Sequence, residues 1–96
     1  MFAVVMRFQF QRPPNGDLQR TLEDIADQLC HFPGFYAHYG FFPTATEAVT
    51  THVWESQLAA EQALQKVGPT LQQVIVPQLR IPVHRTMGEV AIHRSK

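Results

Sequence analysis

Between Phe2 and Gln11 the chain reads FAVVMRFQFQ, and its large apolar side chains fall on every second residue: Phe2, Val4, Met6, Phe8 and Phe10. Successive residues of a strand point to opposite faces, so this is the period of a β-strand with one face for a core. Ala3, Val5, Arg7, Gln9 and Gln11 take the other side. Such a strand cannot stand alone; it needs partner strands and a layer packed on its apolar face.

The rest of the chain supplies both. Pro13, Pro14, Asn15 and Gly16 break the run, and Asp17 is placed to cap a helix whose Leu18, Leu22, Ile25, Ala26 and Leu29 recur at three and four residues. That helix is predicted to end near His31, before Pro33 and Gly34. Phe35 to Phe42 and Glu47 to Trp54 read as two strands, with a turn from Pro43 to Thr46 between them. Ser56 can cap a second helix carrying Leu58, Ala59, Ala63, Leu64 and Val67. Gly68 and Pro69 are expected to interrupt it, Pro69 to start a further helical segment with Leu71, Val74, Ile75 and Leu79, and Pro77 to kink or end that segment. Arg80 to Arg85 reads as a connection or edge strand, and Gly88 to Arg94 as the last strand.

The order is β-α-β-β-α-β, a ferredoxin-like α+β fold in which an antiparallel sheet carries both helices on one face. No linker or repeat divides the chain, so residues 1–96 are read as one domain. A chain of this length with 45% hydrophobic and only 17% charged residues has an apolar surface to hide. The bare sheet face is therefore expected to close on a second copy, giving a homodimer.

Eight basic residues balance eight acidic ones, which provides no positive field for nucleic acid or an anionic membrane. The run YGFF from Tyr39 to Phe42 echoes an RNA-binding aromatic motif but lacks basic neighbours, so no nucleic-acid partner is predicted. No apolar run reaches the roughly 20 residues of a membrane helix, and the start of the chain has no leader pattern. With one cysteine and no possible internal disulfide, the expected compartment is the cytoplasm. Cys30 itself reads as a small buried residue on a helix, with a reactive thiol as the alternative.

Alternation assigns candidate site residues to the bare face: Arg7 and Gln9 from the first strand, His38 from the second, His52 and Trp54 from the third, Glu89 and His93 from the last. Tyr39 is assigned to the helix side, although the second strand has aromatics at both parities. Held in a partly dry cavity, imidazoles and a guanidinium can carry protons and bind an oxyanion. Arg7, His52 and His93 are the candidate catalytic groups, and Gln9, His38, Trp54 and Glu89 the candidate substrate contacts. The structural alternative is a solvated or dimer-covering face, with Arg7 paired to Glu89 across strands. His31 and His84, at a helix end and in a connection, read as capping or solvated residues.

No histidine pair has the i, i+4 spacing of a helical metal site, no second cysteine exists, and the nucleophile elbow, dinucleotide fingerprint and P-loop are all missing. Neither a metal nor a cofactor is predicted.

With FPGF after the first helix and VWES leading from a strand into an Ala-rich helix, the chain resembles the dimeric α/β-barrel superfamily, nearest to its antibiotic biosynthesis monooxygenase-like members. The resemblance covers nearly the whole chain as an order of elements, but its specific parts are Pro33-Gly34-Phe35 and Trp54-Glu55-Ser56. It implies a homodimer whose sheets form a barrel, with a pocket between sheet and helices or at the barrel mouth. It further implies a cofactor-independent monooxygenase acting on a small aromatic or enolisable compound. The alternative is a non-catalytic dimeric module of the same fold that binds a small molecule or assembles with a partner. The haem-degrading branch shares a strand-end Trp, matched by Trp54. It uses an Asn on the first strand, where this chain has Arg7 or Gln9, and an axial His on the second helix, where Ser56 to Leu79 has none. Haem is therefore not expected.

Overall fold

A computed structural model describes residues 1–96. The elements are β1 (Phe2–Gln9), α1 (Gly16–Leu29), β2 (Phe35–Thr44), β3 (Glu47–Trp54), α2 (Gln57–Thr70) and β4 (His84–Glu89). The four strands form an antiparallel sheet in the order β2-β3-β1-β4. The α+β class and element order follow the sequence pattern, and β1 behaves as its alternation predicts. Phe2, Val4, Met6 and Phe8 are buried under the helices, with Arg7 exposed on the far side. Phe10 extends the strand by one bridge, to Leu79.

Both helices bring apolar stripes to that face. Ile25 and Leu29 of α1 join Ala60, Ala63, Leu64 and Val67 of α2 in one core with the β1 aromatics. Asn15, rather than Asp17, caps α1 by accepting from the Leu18 N–H at 2.8 Å. Ser56 caps α2, as expected, through the Ala59 N–H.

Three sequence expectations differ along the chain. The second helix runs unbroken through Gly68 and Pro69 to Thr70, then widens into a π-turn, Leu71–Ile75, and tightens into a 3-10 turn, Val76–Gln78. Pro69 has no N–H to give the preceding turn, and the helix accommodates it by changing pitch instead of ending. The last strand lies at His84–Glu89, not Gly88–Arg94, because Phe2 pairs with Glu89 and Arg7 with His84. The following residues leave the sheet after the Val90 N–H donates to the Met1 carbonyl. Cys30 is exposed, at the end of α1, not buried.

The FPGF and VWES segments meet. Gly34 has φ +85°, its carbonyl accepts from the Glu55 N–H at 2.7 Å, and a Cβ there would stand 2.8 Å from the Ala59 Cβ. Only glycine allows the chain entering β2 to pass so close to the start of α2. The same contact sets Phe35 edge-on to Trp54, with ring centroids 5.4 Å apart.

Candidate functional site

The register of the sheet decides which side chains share a face. Trp54 lies opposite Phe2 and His52 opposite Val4, so both point to the helices; Val49, Thr51 and Val53 take the open side. Across the hairpin His38 pairs with His52, which brings His38 to the helix side as well and sends Tyr39 and Phe41 outward. Glu89 shares the parity of Phe2 and also leaves the open face. The sequence assignment of His38, His52, Trp54 and Glu89 to the bare face is therefore reversed, as is that of Tyr39.

Arg7 and Gln9 remain on the open side. Gln9 is engaged there, its Oε1 accepting from Arg80 at 2.6 Å. His93 lies beyond β4, beside Met1, Tyr39 and Val53. Within one chain the sheet separates His52 from Arg7, so Arg7, His52 and His93 do not form one constellation. Glu89 lies 3.8 Å from the terminal ammonium group, not beside Arg7.

The sheet does bring three other side chains together. Trp54, 0% exposed, donates its indole N–H to His52 Nδ1 at 2.6 Å, and the two rings meet edge to face. An indole N–H only donates, so Nδ1 of His52 must be unprotonated and the neutral ring carries its proton on Nε2. His52, 1% exposed, is stacked on His38 with centroids 5.7 Å apart and planes within 11°.

Both rings are held neutral. Burial, and then the nearness of His38, lower the pKa of His52 to about 4; burial lowers that of His38. The Nδ1 of His38 is buried and has no hydrogen-bond partner in the chain. A buried polar atom left without a partner costs roughly 1–3 kcal/mol, which makes it a ready contact for a ligand or a water.

His38 borders a cleft of about 290 Å³ between α1 and the β2–β3 hairpin. Leu22 and Ala26 of α1, with Phe42 and Ala48 of the hairpin, make its apolar walls; Gln19 and Glu23 add polar groups and Gly40 leaves room beside the ring. The arrangement can hold a small flat molecule against apolar surface and offer it an uncharged imidazole as a proton acceptor or donor. No group of three His, Cys, Asp or Glu side chains is placed to hold a metal ion. No helix is long and apolar enough to cross a membrane.

A four-stranded antiparallel sheet under two helices, in the order β-α-β-β-α-β, is the fold of solved antibiotic biosynthesis monooxygenase-like proteins. A solved antibiotic biosynthesis monooxygenase shares it with TM-score 0.84 at 12% identity, over 96% of this chain and 100% of its own. SnoaB of Streptomyces nogalater, a cofactor-independent oxygenase, is similar with TM-score 0.78 and 18% identity, over 99% and 97% of the two chains. The monooxygenase from the gene ActVA-Orf6 of Streptomyces coelicolor, solved with nanaomycin D, is similar with TM-score 0.65 and 20% identity, over 98% and 92%. At these identities the likeness is one of fold. No protein-family model matches the sequence, and no curated protein matches it.

Proposed function

We propose that the chain binds a small aromatic or enolisable compound in the cleft beside His38 and acts on it as a cofactor-independent monooxygenase. The observation that carries this reading is His38, which lines an apolar cleft, has a buried Nδ1 without a partner, and is backed by His52 and Trp54. In such a reaction the substrate is the reductant: an activated CH₂ and O₂ become C=O and H₂O, with no electrons drawn from a cofactor. The chain's part is to take the acidic proton and keep the resulting anion in a dry site. His38 is the candidate base, His52 the group that positions it, and Trp54 fixes the tautomer of His52. SnoaB's description as a cofactor-independent oxygenase is compatible with this chemistry.

The functional unit of the proposal is a homodimer. Val5, Val53, Tyr39 and Phe41 lie on the open side of the sheet, with Tyr39 67% and Phe41 56% exposed in the single chain. Aromatic and branched side chains on an uncovered sheet suit a second copy better than water. Arg7 and His93 are then interface or barrel-side groups, and their contribution to turnover would come through that assembly. The free, exposed Cys30 fits a reducing cytoplasm.

Trp54 is the sole tryptophan, so its indole N–H gives one proton resonance that reports on the site. Naphthol titrated into the protein is expected to shift that resonance, and His38→Phe to abolish the shift. Oxygen uptake with enolisable aromatic ketones tests the chemistry. Binding without oxygen uptake would favour the non-catalytic module; no binding of either compound class would overturn the site.

A further inference from the structure

A second cleft lies at the opposite edge of the sheet, between α2 with its π-turn and β4. It measures about 590 Å³, against about 290 Å³ beside His38. Its floor is apolar, from Met6, Leu64, Leu71, Val76 and Val83. Gln72 and Arg85 form the polar part; Arg85 pairs with Met6 and so shares the covered side, and it is a permanent cation, while His84 pairs with Arg7 and turns to the open side. The π-turn that follows Pro69 carries Leu71 and Gln72 into the wall, and π-turns recur where a helix serves a site. Gly68 opens the cleft further: a Cβ there would meet nothing within 4 Å.

Charge selects the ligand. The chain's ion pairs are Met1–Glu89 and Asp17–Arg20, so Arg85 is not neutralised by a carboxylate of its own chain. Glu61 lines the adjoining groove with Arg85 and Met87, outside ion-pair reach of the guanidinium. No Asp or Glu lines the larger cleft. A planar fork of donors over an apolar floor matches a carboxylate on a flat hydrophobic body. The geometry points to a binding site for a small aromatic monocarboxylate, held by Arg85 through its carboxylate, with Gln72 as a further donor and the ring against Leu64, Leu71 and Val83. This site is separate from the His38 cleft and does not depend on the monooxygenase reading.

The three methionines make the test local. Met6 lines the cleft, Met87 lies in the adjoining groove beside Arg85, and Met1 belongs to a different surface, near Tyr36 and His93. With isotope-labelled methionine methyl groups, titration of the intact protein with naphthoate is expected to shift Met6 and Met87 and leave Met1 in place. The neutral isostere naphthalenemethanol is expected to bind at least tenfold more weakly. Arg85→Ala, an exposed substitution that leaves the core intact, is expected to weaken naphthoate at least tenfold; Gly68→Leu, which fills the cleft, should block it with Arg85 still present. Equal binding of acid and alcohol, unchanged affinity in both variants, a shift at Met1 alone, or no shift at millimolar naphthoate would each overturn the site.

Discussion

The two faces of the sheet differ in a way that reverses the first expectation from the sequence. The covered face carries two polar side chains, His52 buried beside Trp54 and His38 half-buried at the cleft against α1. The open face, which alternation suggested would be polar, carries Val5, Val53, Tyr39 and Phe41 around Arg7. A buried histidine is tolerable when it is neutral and partnered, and Trp54 provides the partner. An apolar open face is tolerable when another chain covers it. In the proposed function, recognition chemistry belongs to the covered side and assembly to the bare one.

Substitutions at the two faces should separate these roles. Trp54→Ala empties the best-buried large site and removes the donor that fixes His52, so it is expected to cost about 3–5 kcal/mol in denaturant unfolding. Tyr39→Ala, on the open face, should leave the unfolding of the isolated chain within about 0.5 kcal/mol and weaken self-association, measured by sedimentation. If both lost stability equally at a concentration where the chain is monomeric, the distinction between the faces would collapse.

Acid should act on the covered face next. His52 titrates near 6.5 when unfolded and near 4 when folded, so the unfolded chain binds more protons between those values and stability falls as pH drops through that window. The full loss from this one group is about 3 kcal/mol by pH 4. The lowered pKa of His38 adds in the same direction. His52→Gln should flatten the dependence measured by urea unfolding at a series of pH values.

The junction that closes the covered side gives smaller effects. Gly34→Ala must hold a Cβ-bearing residue at positive φ against Ala59, a cost of roughly 1–3 kcal/mol in thermal or denaturant unfolding. Ser56→Ala, which removes the α2 cap, should cost about 1 kcal/mol by the same assay.

How legible these faces were depended on the strand. In β1 five large apolar residues stand at one parity against Arg7 and Gln9, and the side they take is unambiguous. In β3 both parities are half apolar. Val49, Thr51 and Val53 look more core-like than Thr50, His52 and Trp54, yet the pairing of Phe2 with Trp54 turns the second set inward. Periodicity reveals that a strand alternates; when both faces end up buried, it does not reveal which side is which.

Alternation put His38 and His52 on one face, but their direct pairing depends on the hairpin register. A turn at Pro43 to Thr46 would place Phe42 opposite Glu47 and hence His38 opposite Thr51. The strand instead runs to Thr44, and an irregularity between Phe41 and Thr44 slips the register by one, which brings His38 to His52. The fold order, the Gly34 junction and the Ser56 cap were readable because each rests on local chemistry. That His38 and His52 share a face was readable from alternation, but which face it is and their direct pairing rest on the register and were not.

Titration of the two imidazoles by side-chain nitrogen NMR tests the central claim most directly, because it asks whether His52 sits neutral against Trp54 inside the covered face. The expected result is a His52 midpoint of about 4, with Nδ1 unprotonated at neutral pH and a strongly deshielded indole proton on Trp54. A His52 that titrates near 6.5, with an ordinary indole signal, would put it in water on the open face and contradict the account.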